Sequence, residues 1–303
     1  MGTVWCVAAH THDGIDWTSR LASLRRAAEL DADAIRVIAR RLVRTLPDNP
    51  TVVDVGCGGG GMAVALVESL TARGGGTVVL VDAVPEVLDA AATAARSAAT
   101  YENDTPTTTV RVRPVLADLA AERPADIAGP AHLVWASRVV HHLPDQRQAV
   151  ADLADALAPG GWLALGEGGL ESRCLPWDLG IGEPGLQDRL AHARAEWFVR
   201  MRESMPDSVR LPAGWNTVLT DVGLVDVTAF SYLVDHPAPA KPAVREWAVR
   251  QVEWLAEVGA DRLHAADRHA LTRLLDPDDA AYLGRRDDVF LLSAGTVHLG
   301  RKP

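Results

Sequence analysis

A chain of 303 residues with 48% apolar composition can bury a sizeable core, and no apolar stretch is long enough to cross a membrane, so neither wholesale disorder nor a membrane-spanning protein is expected. The net charge of −10, with no Lys/Arg run to offset it, disfavours a nucleic-acid partner and favours a small-molecule substrate. Three scattered cysteines, Cys6, Cys57 and Cys174, form neither a disulfide framework nor a CxxC site, so a reducing, cytoplasmic setting and no metal centre are expected.

Residues 1–10 carry a short apolar run without a basic leader, so no signal peptide is expected there. Residues 16–46 read as a helix, because Leu21, Leu24, Ala28, Ile35, Ile38, Leu42 and Val43 recur at intervals of three and four, and Pro47 and Pro50 stop it. Residues 51–55 read as a strand, and a glycine cluster then leads into a helix over 62–70. The alternation repeats with a strand at 77–81 and a helix at 85–99, followed by strands at 110–116, 132–136 and 162–166 and a helix over 146–157. Strands separated by helices predict parallel pairing and an α/β, doubly wound, mostly parallel sheet.

Beyond residue 166 the pattern changes. Residues 168–212 read as loop plus one amphipathic helix, 215–222 as a short helix, 225–234 as a strand and 243–275 as a helical insertion. Two β-like runs, 289–292 and 296–299, close the chain, with Ser293-Ala294-Gly295 read as a hairpin turn between them. The expected organisation is an N-terminal helical lid at 1–46, a cofactor-binding core at 47–167, an inserted helical lid at 168–212, and the rest of a seven-stranded core at 213–303 with a second helical insertion at about 238–287.

The densest chemical signal is Asp54-Val55-Gly56-Cys57-Gly58-Gly59-Gly60-Gly61. Glycine suits this position because the chain turns sharply from strand to helix and a Cβ would block a ligand pressed against the backbone. Gly56-x-Gly58-x-x-Gly61 also satisfies the dinucleotide fingerprint. This segment alone therefore leaves a nicotinamide cofactor and an adenosyl cofactor both open.

Further along, Asp82 ends the second strand, Asp118 follows the third in Val115-Leu116-Ala117-Asp118-Leu119, and Pro159-Gly160-Gly161 precedes the fifth. Together with Asp54-x-Gly56-x-Gly58-x-Gly60 and Val140-His141-His142-Leu143-Pro144-Asp145, these residues resemble the small-molecule branch of the class I S-adenosylmethionine-dependent methyltransferases. The likeness is close over about residues 46–166 and loose in the C-terminal strands, one of which it implies to be antiparallel. It implies S-adenosyl-L-methionine as cofactor, with Gly56, Gly58 and Gly60 forming the turn against it and Asp54 organising the loop. Asp82, with Ala83 beside it, would hold the ribose hydroxyls, while Asp118 and the Leu119 amide would read adenine. Asp82 would equally suit a nicotinamide nucleotide, because two ribose hydroxyls need the same acceptor.

The implied reaction is methyl transfer to a small-molecule acceptor by in-line displacement. An NAD(P)-dependent oxidoreductase and a non-catalytic cofactor-binding protein stand as alternatives. His141 is the candidate general base, Ser137 is placed on the cofactor's lining, and Arg138 either lines the cofactor or shapes the loop. His10, His12, His192 and His236 are candidates by position only. Of the nine tryptophans, Trp177, Trp197, Trp215, Trp247 and Trp254 fall near the insertions, where packing is the default role and an aromatic acceptor wall the functional one. Trp135-Ala136-Ser137-Arg138 stands where amino-methylating DNA enzymes carry an Asn/Asp-Pro-Pro-aromatic tetrad, which disfavours that activity. The acceptor, the atom methylated and the oligomeric state are not written in the sequence.

Overall fold

Valine-rich runs bounded by glycine and proline become the strands of one sheet, and the helices between them cover both of its faces. The structure, a computed structural model, describes residues 15–100 and 110–303. Cys6, His10, His12 and the apolar run of residues 1–10 lie outside the described residues. The helices are α1 (Leu21–Val43), α2 (Gly61–Thr71), α3 (Pro85–Thr100), α4 (Pro124–Ile127), α5 (Gln146–Asp155), α6 (Leu186–Ser204), α7 (Trp215–Asp221), α8 (Pro242–Val258) and α9 (Ala265–Leu275). The strands are β1 (Thr51–Val55), β2 (Gly76–Asp82), β3 (Val110–Leu116), β4 (Ala131–Ser137), β5 (Leu157–Arg173), β6 (Val225–His236) and β7 (Leu291–Arg301).

The seven strands lie in the order β3-β2-β1-β4-β5-β7-β6, with β1 to β5 parallel and β7 antiparallel to both neighbours. Because successive strand residues face opposite sides, Val52, Val78 and Leu133 pack under α1, α2 and α3, while Val53, Val79 and Val134 pack against α5 and α7. The α/β doubly wound expectation holds. The order reverses between β1 and β4, and an open α/β sheet gathers its ligands at the carboxyl ends of the strands at such a point. A third apolar cluster joins Leu186 and Leu190 of α6, Val244 and Val252 of α8, and Leu271 and Leu274 of α9.

Four element boundaries differ from the expectation, each for a local reason. α1 begins at Leu21 rather than at 16, because the Asp16 carboxylate accepts from the Ser19 amide at 3.1 Å and holds a separate turn ahead of it. Residues 168–173, expected as loop, extend β5 through a bulge. The run 289–299 is not a hairpin but, from Leu291, the one strand β7, with Gly295 paired to Tyr232 of β6. A Cβ on Gly295 would sit 2.4 Å from the Tyr232 ring, so this glycine makes room for an aromatic rather than for a turn. Residues 243–275 form two helices, since α8 stops at Val258 and Gly259 caps it by donating to the Leu255 carbonyl.

No helix among the described residues is long and apolar enough to cross a membrane.

Candidate active site

A cavity of about 410 Å³ opens at the carboxyl ends of β1, β2, β3 and β4. Asp54, Gly56, Gly58, Asp82, Ala83, Asp118, Leu119, Ser137 and His141 all line it. Gly60 does not. Its φ is +82° and its missing side chain admits Ala91 of α3, whose Cα would lie 2.9 Å from an added Cβ, so Gly60 serves helix packing rather than the cavity wall.

The glycine loop is pinned from two sides. The Gly56 amide donates to the Val81 carbonyl at 2.8 Å and the Gly58 amide to Asp82 Oδ2 at 3.2 Å, tying the β1 turn to the tip of β2. From above, the backbone of α1 presses on Gly59, where a Cβ would lie 2.7 Å from the Leu24 carbonyl oxygen. Close approach of two backbones, more than conformational freedom, demands glycine there.

A buried carboxyl group, Asp54, and a half-buried one, Asp82, share this corner. Asp54 is 2% exposed and its Oδ2 has no hydrogen-bond partner among the described residues. Burial, with Asp82 nearby adding to it, pushes Asp54 from 3.8 up to about 8. Asp82 is also raised by burial, and the amides of Val84 and Gly58 partly offset this. Asp118 follows β3, and its Oδ1 accepts from the Ala120 amide at 2.9 Å, which fixes the turn carrying Leu119.

Ser137 ends β4 and donates from Oγ to the Gly166 carbonyl at 3.2 Å, so its hydroxyl already braces the neighbouring strand. Arg138 follows at φ +56° and lines the cavity. His141 lies on a short 3₁₀ turn, Val140–His142, and its Nδ1 meets Glu167 Oε2 at 2.7 Å. The other oxygen, Oε1, accepts from the Val139 and Val140 amides at 3.1 and 3.0 Å. Glu167 has its side chain only 3% exposed, so a single buried carboxylate orients both the turn and the imidazole. The α6 residue Arg202 grips the same turn from outside, donating to the carbonyls of Leu143 at 2.6 Å and Pro144 at 2.9 Å.

Glu167 was not singled out by sequence pattern, although one clue exists. It follows the apolar run Trp162-Leu163-Ala164-Leu165-Gly166, just past the level of the carboxyl end of β4, where α/β ligands gather. Of the tryptophans expected near the insertions, Trp197 and Trp254 line the cavity, Trp215 and Trp247 pack into apolar clusters, and Trp177 is exposed. His192 is an exposed partner of Glu196, and His236 meets the Leu30 carbonyl at 2.8 Å; neither lines the cavity.

Residues 53–163 match the family model described as a methyltransferase domain. A trans-aconitate 2-methyltransferase of Azoarcus sp. (strain BH72) is 35% identical over 136 residues, which is 44% of this chain and 46% of that one. The match thus spans just under half the length of that relative. Among solved structures, an S-adenosylmethionine-dependent methyltransferase of Thiobacillus denitrificans in complex with S-adenosyl-L-homocysteine superposes with a TM-score of 0.48 and 14% identity, covering 93% of this chain and 98% of that one. The YcgJ protein of Bacillus subtilis gives 0.47 and 14%, over 89% and 99%. The domain match falls on β1 through β5, where the glycine loop and the three strand-tip acids stand, and the sheet around it has the order 3-2-1-4-5-7-6. Over residues 53–163, the segment that carries the glycine loop and the strand-tip acids, the chain is similar to the methyltransferase domain family.

Proposed function

We propose that this protein is an enzyme that binds S-adenosyl-L-methionine in the cavity at the strand tips and transfers its methyl group to a small-molecule acceptor. The observation that carries the cofactor assignment is the corner formed by Asp54, Asp82 and the glycine loop. The residues present fit the group. Asp82 spends its oxygens on backbone amides at 3.1 and 3.2 Å and on the more distant Cys57 thiol, leaving carboxylate lone pairs for two ribose hydroxyls. Asp54 carries a buried oxygen that no described protein group satisfies. When bound, this cofactor supplies a methyl group on a positively charged sulfur, which is itself a good leaving group.

Asp118 and Leu119 stand at the tip of β3 to receive the adenine, with Ala83 beside the ribose and Ser137 bracing the wall between cofactor and acceptor. His141 acts as general base from the acceptor side. With Nδ1 donating to Glu167, its Nε2 is the ring atom free to take a proton, and the ring lines the cavity. Glu167 is a positioning residue that holds the tautomer and steadies the imidazolium. Residues 15–46 and 174–212, with the helices of 238–287, close over the sheet as lids, and desolvation beneath them favours alignment over side reactions. Cysteine usage supports a cytoplasmic setting, and a cavity of about 410 Å³ supports a small acceptor.

Asp82→Ala tests the assignment by calorimetric titration with S-adenosyl-L-homocysteine, where affinity should fall at least about tenfold. An unchanged affinity removes Asp82 from its role. Binding of NADH in place of the homocysteine nucleoside would overturn the methyltransferase assignment in favour of an oxidoreductase.

A further inference from the structure

The cavity is divided by charge along the sheet. Its acids Asp82 and Asp118 stand at the end of β2 and just past β3, on one side of the reversal in strand order, with Asp54 of β1 beside them held in its protonated form up to about pH 8. On the other side and above stand Arg20, Arg138 and Arg194, facing one carboxylate, Asp31. In a chain of net charge −10, a pocket half that keeps an arginine in excess of its carboxylate partners suits an anion.

The walls of that half are aromatic and continuous. The Phe198 and His141 rings lie 5.6 Å apart, and the Arg194 Cζ lies 5.8 Å from both the Phe198 and the Trp254 ring centres. Arg20 comes within 5.9 Å of the same Trp254 ring, which Trp197 meets edge-on at 6.0 Å. Arg194 shares its charge with Glu171, which lies outside the cavity, and Arg138 feels Asp31. Arg20 makes no ion pair with any described carboxylate, since its guanidinium rests on an indole face. Setting Glu171 and Asp31 against the three arginines leaves one uncompensated guanidinium, that of Arg20.

The dyad adds a second requirement. A carboxylate acceptor needs no base, because its oxygen is already ionised at neutral pH. His141 held by a buried glutamate is built to take a proton, so the reacting atom begins protonated. Resting on the methyltransferase assignment above, we propose that the acceptor is a planar aromatic acid carrying a hydroxyl, in which Arg20 and Arg194 hold the carboxylate, the Phe198 and Trp254 rings sandwich the aromatic plane, and the hydroxyl meets His141. His141 Nε2 takes the hydroxyl proton while the oxygen forms its bond to the methyl carbon. The carbon–sulfur bond breaks with its electron pair returning to sulfur, and the proton leaves the imidazolium for solvent. The products are a methyl ether and a neutral thioether.

The test uses the full chain saturated with S-adenosyl-L-homocysteine, followed by tryptophan fluorescence during titration with the three hydroxybenzoates, phenol, cyclohexanecarboxylate and tyramine. At least one hydroxybenzoate should bind about tenfold or more tightly than phenol and tyramine, and Arg20→Gln should erase that margin while the nucleoside affinity stays at the parent value. With S-adenosyl-L-methionine, the same hydroxybenzoate should yield a methyl ether, and His141→Gln should retain binding while losing turnover. Equal affinity for phenol, tyramine and the acids, or a methyl ester in place of the ether, overturns the acceptor assignment. A loss of nucleoside affinity in Arg20→Gln also overturns it, since Arg20 would then belong to the donor half. Failure of the parent to bind the nucleoside at all strikes the methyltransferase assignment, a result distinct from binding without acid preference.

Discussion

Asp54→Asn isolates the cost of a buried carboxylate that the fold leaves without a partner. The group sits at 2% exposure, beside Asp82, and is pushed from 3.8 to about 8. Between those two values the unfolded chain has released this proton while the folded chain still holds it, so folding takes up a proton and stability falls as pH rises. The fall is complete above about pH 8, where the folded group also ionises. At about 1.4 kcal/mol per pH unit, the displacement sets a ceiling of about 6 kcal/mol, and an interior that relaxes toward an effective dielectric of about 20 leaves about 2 kcal/mol as the expected loss from pH 5 to pH 8. Asparagine keeps the shape and removes the ionisation, so the variant should lose that slope and exceed the parent in stability at pH 8. Chemical denaturation of the ligand-free protein at half-unit intervals from pH 5 to pH 9 reads both curves. Superimposable pH dependences for parent and variant would refute a proton held at Asp54.

Four further outcomes follow from named contacts. Glu167→Gln should lower kcat by about tenfold to a hundredfold with KM for the cofactor unchanged, because the amide keeps the turn but no longer steadies a charged imidazole, and steady-state kinetics separates the two constants. Gly59→Ala drives a methyl group to 2.7 Å from the Leu24 carbonyl, so urea unfolding should show a loss of about 1 to 3 kcal/mol. Asp267, 3% exposed at its side chain, accepts twice from Arg189 at 2.8 and 2.7 Å, and its alanine variant should lose about 2 to 3 kcal/mol by the same measurement, the 30% exposure of Arg189 keeping it below the cost of a sealed pair. Burial holds His298 below 6.5, so the folded chain excludes a proton that the unfolded chain binds; stability should be whole above about pH 6.5 and decline as pH falls through that window, and His298→Gln should flatten the decline in a thermal melt series.

That Asp54, Asp82, Asp118 and the glycine loop converge on one cavity was legible in the sequence because each lies at the end of a locally readable strand. Asp54 and its glycines are contiguous, Asp82 and Asp118 each close an apolar strand, and the parallel topology that brings the three tips together is itself readable from βα alternation. What escaped is of two kinds. Glycines at 168, 169 and 295 look like turn signals, yet they sit within paired strands, two around a bulge and one under the Tyr232 ring, so local chemistry misstates the element when a neighbour fills the missing side chain's place. The acceptor wall is harder still. Arg20, Arg194 and Trp254 come from three segments far apart in the chain, none in a motif, and only the docking of α6 and α8 beside α1 makes them neighbours.

That docking links the proposed acceptor wall to His141, the proposed base. α6 contributes Arg194 and Phe198 to the wall, and one to two turns later the same helix sends Arg202 to the carbonyls of His141, Leu143 and Pro144. The turn bearing His141 is therefore held between two fixed points, Glu167 within β5 below and Arg202 on α6 above. A helix that shifted to admit a larger acceptor would carry Arg202 with it and pull the carbonyl scaffold under the imidazole. Shape selection at Phe198 and alignment of the proton acceptor thus cannot be adjusted independently in this fold. Any rigid-body motion of α6 changes both at once, whereas the corner of Asp54, Asp82 and the glycine loop is held by β1, β2, α1 and α3, without a contact from α6.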